Sequence, residues 1–319
     1  MPDPAAPDAA VPDAAVPDAA VSDAAAPDAA ARDAAARDAA EEASALSHPA
    51  VAPDATAPYG AHPDQVVDFY APRDRRGPVP LVVVLHGGAW RAPYDRRHVS
   101  PLADHLARRG FAVANVEYRR GAALPAPPGA EPVAGRWPET FDDVAAALDA
   151  LPALAAEHLP QADPRRTVVT GHSAGGHLAL WAAARHVLPA GSPWRRPEPP
   201  ELRGVVALAP IAHFGRAVEL GVCGGAVTQL LGGEEGFEER AASADPAVLP
   251  PTGIATVVVQ GREDTVVPLP VAEAYAEAAA RAGGAVGLTV LDGVGHFPLI
   301  DPAADACGVV AEKITRLAR

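Results

Sequence analysis

Short runs of Val, Ile and Leu recur along this chain, and most are followed by a longer stretch whose apolar residues have helical spacing. The runs are QVVDFYA (65–71), PVPLVVVLHGG (78–88), FAVANVEY (111–118), RTVVTG (166–171), RGVVALAP (203–210), IATVVVQG (254–261) and VGLTVLDG (286–293). Helical spacing covers 97–109, 138–158, 174–187, 268–282 and 302–318. A strand that faces water on one side alternates polar and apolar residues. Most of these runs have continuously apolar centres, which predicts that both of their faces are buried. The pattern predicts an α/β domain: a mostly parallel sheet with helices on both faces. Residues 211–250 break the rhythm; they are glycine-rich and predict a small cap-like insertion over one end of the sheet.

The chain is 319 residues long and 49% hydrophobic, enough to bury a sizeable core. Its net charge of −14 argues against a nucleic-acid partner. Residues 1–42 carry much of that charge, with ten acidic residues against two arginines. Residues 7–41 repeat every five residues, from PDAAV to RDAAE, a period too short for a solenoid unit. Lacking large apolar side chains, the repeat cannot offset the entropy of ordering itself. Residues 1–50 are therefore expected to be a disordered acidic tail, at most transiently helical over 30–46, ahead of a domain at 51–319. The opening MPDPAAPDAA has no basic or apolar signal region, and no run reaches the ~18 apolar residues of a membrane span. A cytoplasmic protein without membrane partner is the expectation. Cys223 and Cys307 make neither a disulfide framework nor a metal cluster, and they read as reduced thiols.

Ligands of open α/β sheets gather beyond the carboxyl ends of the strands, and four polar features fall there. GHSAG (171–175) is a G-x-S-x-G between strand and helix. Its glycines let the chain reverse tightly and thrust Ser173 out above the sheet as a nucleophile. HGGAW (86–90) follows the second strand. Acyl transfer develops an oxyanion that needs fixed N–H donors, and Gly87 and Gly88 are assigned that task with the N–H of Ala174. His86 reads as a structural anchor of the loop. Serine needs a base, and the base needs an acid to orient it. His296, in GVGHFPL (293–299), is the histidine after the last strand; Asp264, in GREDTVVP (261–268), is the acid. Glu263 is its nearest rival, with Asp292 and Asp301 behind. His172 reads as a packing or pocket residue. Arg119 and Arg120 read as solvated surface arginines. No H-E-x-x-H and no paired cysteine spacing occurs, so neither metal nor cofactor is expected.

HGGAW, FAVANVEYRR, GRWPETFDDVAAALDAL, GHSAGGHLAL and GREDTVVP…GHF together resemble the α/β-hydrolase superfamily, in particular its bacterial esterase and kynurenine formamidase-like branch. The resemblance covers roughly residues 60–319. It implies an eight-stranded, mostly parallel sheet and a cofactor-free triad of Ser173, Asp264 and His296. It also implies hydrolysis of a small acyl ester through a covalent acyl-enzyme. HGG-x-W is similar to kynurenine formamidases, which would set Trp90 on the acyl side of the pocket; a core position is the other reading. Arylformamidase activity is the alternative function, ahead of a serine peptidase or a non-catalytic binding module. The partner is then a small ester or formamide. The apolar residues of 211–250 are too few for a long lipid tunnel, so short acyl groups are expected.

Overall fold

The computed structural model describes residues 29–73, 77–121 and 133–319. Eight strands form one sheet: β1 Ala55–Pro58, β2 Val66–Tyr70, β3 Val79–Leu85, β4 Ala112–Val116, β5 Ala162–His172, β6 Gly204–Leu208, β7 Thr256–Gly261 and β8 Gly287–Leu291. Their order is β1-β2-β4-β3-β5-β6-β7-β8. The contacts β1–β2 and β2–β4 are antiparallel; all pairs from β4 to β8 are parallel. Seven strands coincide with the apolar runs. The eighth, β1, reads ATAP and carries no apolar run. As an edge strand it tolerates Pro58, which has no N–H for a further neighbour.

Five helices flank the sheet: α2 Ser100–Arg108, α3 Glu139–His158, α4 Ala174–Ala183, α8 Leu269–Arg281 and α9 Asp305–Leu317. The pleat of β3 sorts its side chains between the two faces. Leu81, Val83 and Leu85 join a core with Phe141 of α3 and Leu178 and Trp181 of α4. Val82 and Val84 join a second core with Leu102 and Leu106 of α2 and Val310 and Ile314 of α9. Continuously apolar strands are what a sheet covered on both faces requires.

From β3 the chain passes to β4 on one side and later to β5 on the other. The loops after β3 and β5 therefore diverge across a switch point and open a crevice at the strand ends. HGGAW and GHSAG are those two loops. Residues 211–250 form three short helices, α5 Phe214–Glu219, α6 Ala226–Leu230 and α7 Phe237–Ala244. The last of them packs on α4: the Trp181 Nε1–H donates to the Ser243 carbonyl and the His177 Nε2–H to that of Ala244, each at 2.9 Å.

The expectation of disorder over 1–50 fails for its second half. Ala29–Ser47 is a 19-residue helix, α1, docked against the domain. Once the prolines end, the repeat is mostly Ala with Arg, Asp and Glu, a composition led by the strongest helix former. Apart from the buried Ala45, its docking contacts are mainly polar, so no wide apolar stripe announces them. Residues 1–28 lie outside the described residues. Among the described residues no helix is long and apolar enough to cross a membrane.

Candidate active site

The turn from β5 into α4 is so tight that no side chain fits at the glycines that frame Ser173. A Cβ at Gly171 would lie 2.3 Å from the Gly175 carbonyl oxygen, and one at Gly175 would lie 2.1 Å from that of Leu85. At Gly176 it would come within 2.9 Å of Pro210. Ser173 itself adopts φ 56° and ψ −117°, a left-handed φ that L-residues rarely occupy. Its N–H donates to the Leu208 carbonyl at 2.8 Å, and its carbonyl accepts from His177 N–H at 3.1 Å. The strained backbone is thus held from both sides. Ala174 opens α4, where helix geometry leaves N–H groups without intrahelical acceptors.

The loop after β3 is anchored by His86, which is fully buried. Its Nδ1 lies 2.9 Å from the Gly87 carbonyl oxygen and its Nε2 2.8 Å from the Glu117 carboxylate. Its ring stacks on Tyr118 at 4.2 Å, and the Tyr118 hydroxyl donates back to the His86 carbonyl at 2.6 Å. Glu117 also accepts from Arg120 Nη1 at 2.8 Å and from the N–H groups of Arg96 and Tyr118, both at 3.0 Å. Burial alone would raise this carboxyl. The His86 ring, Arg120 and the Arg96 N–H outweigh it and hold the group at about 2. Gly88 follows with φ 94°, and a Cβ there would strike Tyr94 at 2.2 Å.

Beyond β7 and β8, the His296 Nδ1–H donates to Asp264 Oδ2 at 2.7 Å, with both residues buried. Asp264 Oδ2 also accepts from the Gln260 amide at 3.0 Å. Its Oδ1 accepts from the N–H groups of Val266 at 2.9 Å and Val267 at 2.7 Å. Four donors fix this carboxylate, and it in turn fixes the imidazole with Nε2 turned away. Glu263, the rival, is partly exposed and lies 4.0 Å from Arg37. Asp292 is exposed beside Arg262, and Asp301 accepts from Ser44 and the Ala303 N–H and pairs with His48. Asp264 is thus the carboxylate bonded to His296. His172 links the two halves: its Nε2–H donates to the His296 carbonyl at 3.0 Å, with the rings 4.3 Å apart. Burial, and then the neighbouring His296, push its imidazole well below the usual range, so it stays neutral.

Ser173, His172, His296, Gly88 and Ala89 open onto one cavity of about 290 Å³. Its other walls include Arg91, Cys223, Phe297 and, from α1, Glu42 and Leu46. A larger groove, about 410 Å³, runs between α4, α8 and residues 246–256, but no histidine lines it. Chemistry rather than size picks out the smaller space. Among the described residues no cluster of His, Cys, Asp or Glu could hold a metal ion.

Several sequence-derived placements change. Trp90 is fully buried, edge-on to His177 at 5.3 Å and Phe214 at 6.4 Å, and does not line the cavity. It is a core residue; positive φ at Ala89 and Trp90 turns the indole inward. Gly87 is set back, its Cα so close to the elbow that a Cβ would sit 2.9 Å from the His172 carbonyl oxygen. Gly88 and Ala89 face the cavity instead. Arg119 and Arg120 are not solvated: the first is bound to the buried Asp143, the second to Glu117. Ala89, Glu42 and Leu46 were missed. Ala89 could have been found from its adjacency to Gly88, but Leu46 and Glu42 lie in a stretch read as tail.

Comparison with known proteins places the fold and the family. The protein named "Probable carboxylic ester hydrolase LipM" from Mycobacterium tuberculosis is 33% identical over 34% of this chain and 22% of its own length. "Probable isoprenylcysteine alpha-carbonyl methylesterase ICME" from Oryza sativa subsp. japonica is 31% identical over 39% and 27%, respectively. The match thus spans about a quarter of the length of these curated relatives. Among solved structures, a truncated carbohydrate esterase from gut microbiota superposes with a TM-score of 0.68, at 18% identity, over 85% of this chain and 99% of that one. Esterase B from Lactobacillus rhamnosis superposes with a TM-score of 0.65, at 21% identity, over 91% and 93%. The fold is that of the α/β-hydrolases. The BD-FAE family model matches residues 67–278, a span that holds Ser173 and Asp264 and stops short of His296. With about two thirds of its residues inside that match, the chain belongs to the BD-FAE family.

Proposed function

We propose that this protein is a serine hydrolase of small acyl esters. One observation carries the reading: a strained, glycine-framed Ser173 and the buried Asp264–His296 pair open onto or abut one cavity. Asp264 accepts a hydrogen bond from Nδ1–H, which holds the tautomer that leaves His296 Nε2 free to act as base. Nε2 takes the Ser173 hydroxyl proton as Oγ bonds to the ester carbonyl carbon. The carbonyl electron pair moves to oxygen, and the N–H groups of Gly88, Ala89 and Ala174 face that oxyanion. Collapse expels the alcohol, protonated by His296, and leaves the acyl group on Ser173. Water, deprotonated by the same Nε2, repeats the sequence and releases the acid. The named activities of the relatives support ester hydrolysis.

A cavity of about 290 Å³ falls at the small end of ligand sites, which favours short acyl groups. Each further methylene would add ~0.8 kcal/mol of binding only if there were room for it. The test is kcat/KM for 4-nitrophenyl acetate, butyrate and octanoate beside N-formylkynurenine. The expected maximum is at acetate or butyrate; a maximum at octanoate overturns the short-acyl reading, and a dominant formyl substrate replaces esterase with formamidase. Ser173→Ala should lower turnover by about 10⁴–10⁶ while leaving the melting curve in place. Retained turnover removes Ser173 from the role.

A further inference from the structure

β8, whose following loop carries His296, is the edge strand of the sheet, and its residues are only half buried or exposed. A loop leaving an edge strand has little of the sheet to hold it. α1 occupies that flank. Asp38, Glu41, Ser44 and Ala45 recur at three- and four-residue spacing and so share one side of the helix, and His48 follows its last residue. Asp38 accepts from the hydroxyl of Thr265, the residue after Asp264. Glu41 Oε1 accepts from the N–H of Gly295, the residue before His296, at 3.0 Å. Arg37 lies 4.0 Å from Glu263. Ser44 Oγ donates to Asp301 at 2.6 Å, and His48 Nε2 pairs with the same carboxylate at 2.8 Å. Ala45, 4% exposed, packs into the core that also holds Leu299 and Ile300. Gly295 is the seat of the contact: a Cβ there would meet Glu41 Oε2 at 2.1 Å and Asp38 Oδ1 at 3.1 Å.

We propose that α1 is a positioning strap, which ties the Asp264 loop to the His296 loop and closes the substrate cavity with Glu42 and Leu46. The inference rests on the roles given above to Ser173, Asp264 and His296. A helix merely resting on the surface would need no bond to each catalytic loop, and none of its side chains would wall the cavity. Asp38 and Glu41 touch neither substrate nor reacting atoms; Asp38 acts through the side chain of the residue after the acid, Glu41 through the N–H of the residue before the base. Because positioning governs the chemical step, its loss should reduce kcat more than it raises KM.

Ala40 tests the strap without touching a contact, since it is exposed. Proline there removes one helix hydrogen bond and clashes with the preceding turn. In the full chain, Ala40→Pro should lower kcat for 4-nitrophenyl acetate ~10-fold or more, with KM changed less than about threefold. Amide exchange at Val266, Val267 and Gly295 should accelerate at least ~10-fold. Ala40→Ser should behave as wild type. Glu41→Ala should repeat the loss on a helix that still forms, and Glu41→Gln should recover most of it, because an amide oxygen still accepts from Gly295. Ala40→Pro and Glu41→Ala with kcat within twofold of wild type and unchanged exchange would overturn the strap. A rise in kcat would also overturn it, making α1 an occluding lid. If wild type hydrolyses no ester, the functional reading fails, and the exchange data still decide the strap.

Discussion

His86 and His296 each anchor a loop at the carboxyl end of the sheet, but their surroundings differ. His86 sits next to the sheet's centre and is bound through both ring nitrogens, with Tyr118 stacked on it and Glu117 gathering four donors beneath. All of these partners come from β3, β4 and the segments that follow them. His296 stands past an edge strand, and its loop is fastened from outside the sheet by a helix more than 200 residues away in sequence. One half of the site is built into the core; the other is held by an extension. The core half can be weakened only by weakening the fold. The strapped half can lose geometry while the domain stays folded.

The largest expected effect breaks the core half. Glu117→Ala leaves Arg120 and His86 without their shared carboxylate in a buried place, which should cost ~3–5 kcal/mol of stability. Thermal or urea unfolding measures it; a loss under about 1 kcal/mol would mean that the network is not what secures the loop. Next comes a contrast inside the strapped half. Asp264→Asn should lower kcat by at least ~100-fold, because the amide no longer holds the imidazole tautomer. Glu263→Gln should stay within about threefold, as its carboxylate faces Arg37 and solvent. The reverse ranking would move the acid to Glu263.

The smallest effect is a difference in pH dependence. Glu117 is held at about 2, below its ordinary 4.5. Its contribution to stability is therefore complete above 4.5 and drains away as pH falls toward 2. Glu41 shifts the other way: burial, then Asp38 and Asp264, raise it above 4.5 against the opposing Gly295 N–H and Arg37. Its protonated form favours docking below 4.5, and that contribution is lost as pH rises through the folded value. Urea unfolding of wild type and Glu41→Gln from pH 4 to 8 should show the glutamine variant gaining relative stability as pH rises. A flat difference would remove Glu41 as the source.

The sheet was legible because continuous apolar strands and amphipathic helices have periods that survive without knowledge of contacts. Ser173 and HGGAW were legible because glycine at fixed offsets has a steric cause. Asp264 stood out from Glu263 by position alone, and the four hydrogen bonds that separate them cannot be seen in sequence. Trp90 stays open between pocket and core in the sequence because a motif fixes where a residue stands and not which way its side chain turns; its full burial, with positive φ at Ala89 and Trp90, places it in the core. β1 was missed because ATAP buries little and pairs only at the sheet edge. α1 reads as tail because its docking relies on Asp, Glu, Ser and Ala, residues that also make a good disordered segment.

The repeat that hid α1 also restricts how it can sit. RDAAA at 32–36 and RDAAE at 37–41 are near copies. A step of five residues along a helix advances about 7.5 Å and turns about 140° beyond a full turn. Asp33 and Asp38 therefore point in different directions, and Asp33 is exposed while Asp38 is buried. Sliding the helix by one copy would bring Asp33 to Thr265 only after a rotation that carries Glu41, Ser44 and Leu46 away from their places. Copies that are interchangeable on paper become, once coiled, marks around a dial, and only one of them can be read at the loops that carry Asp264 and His296.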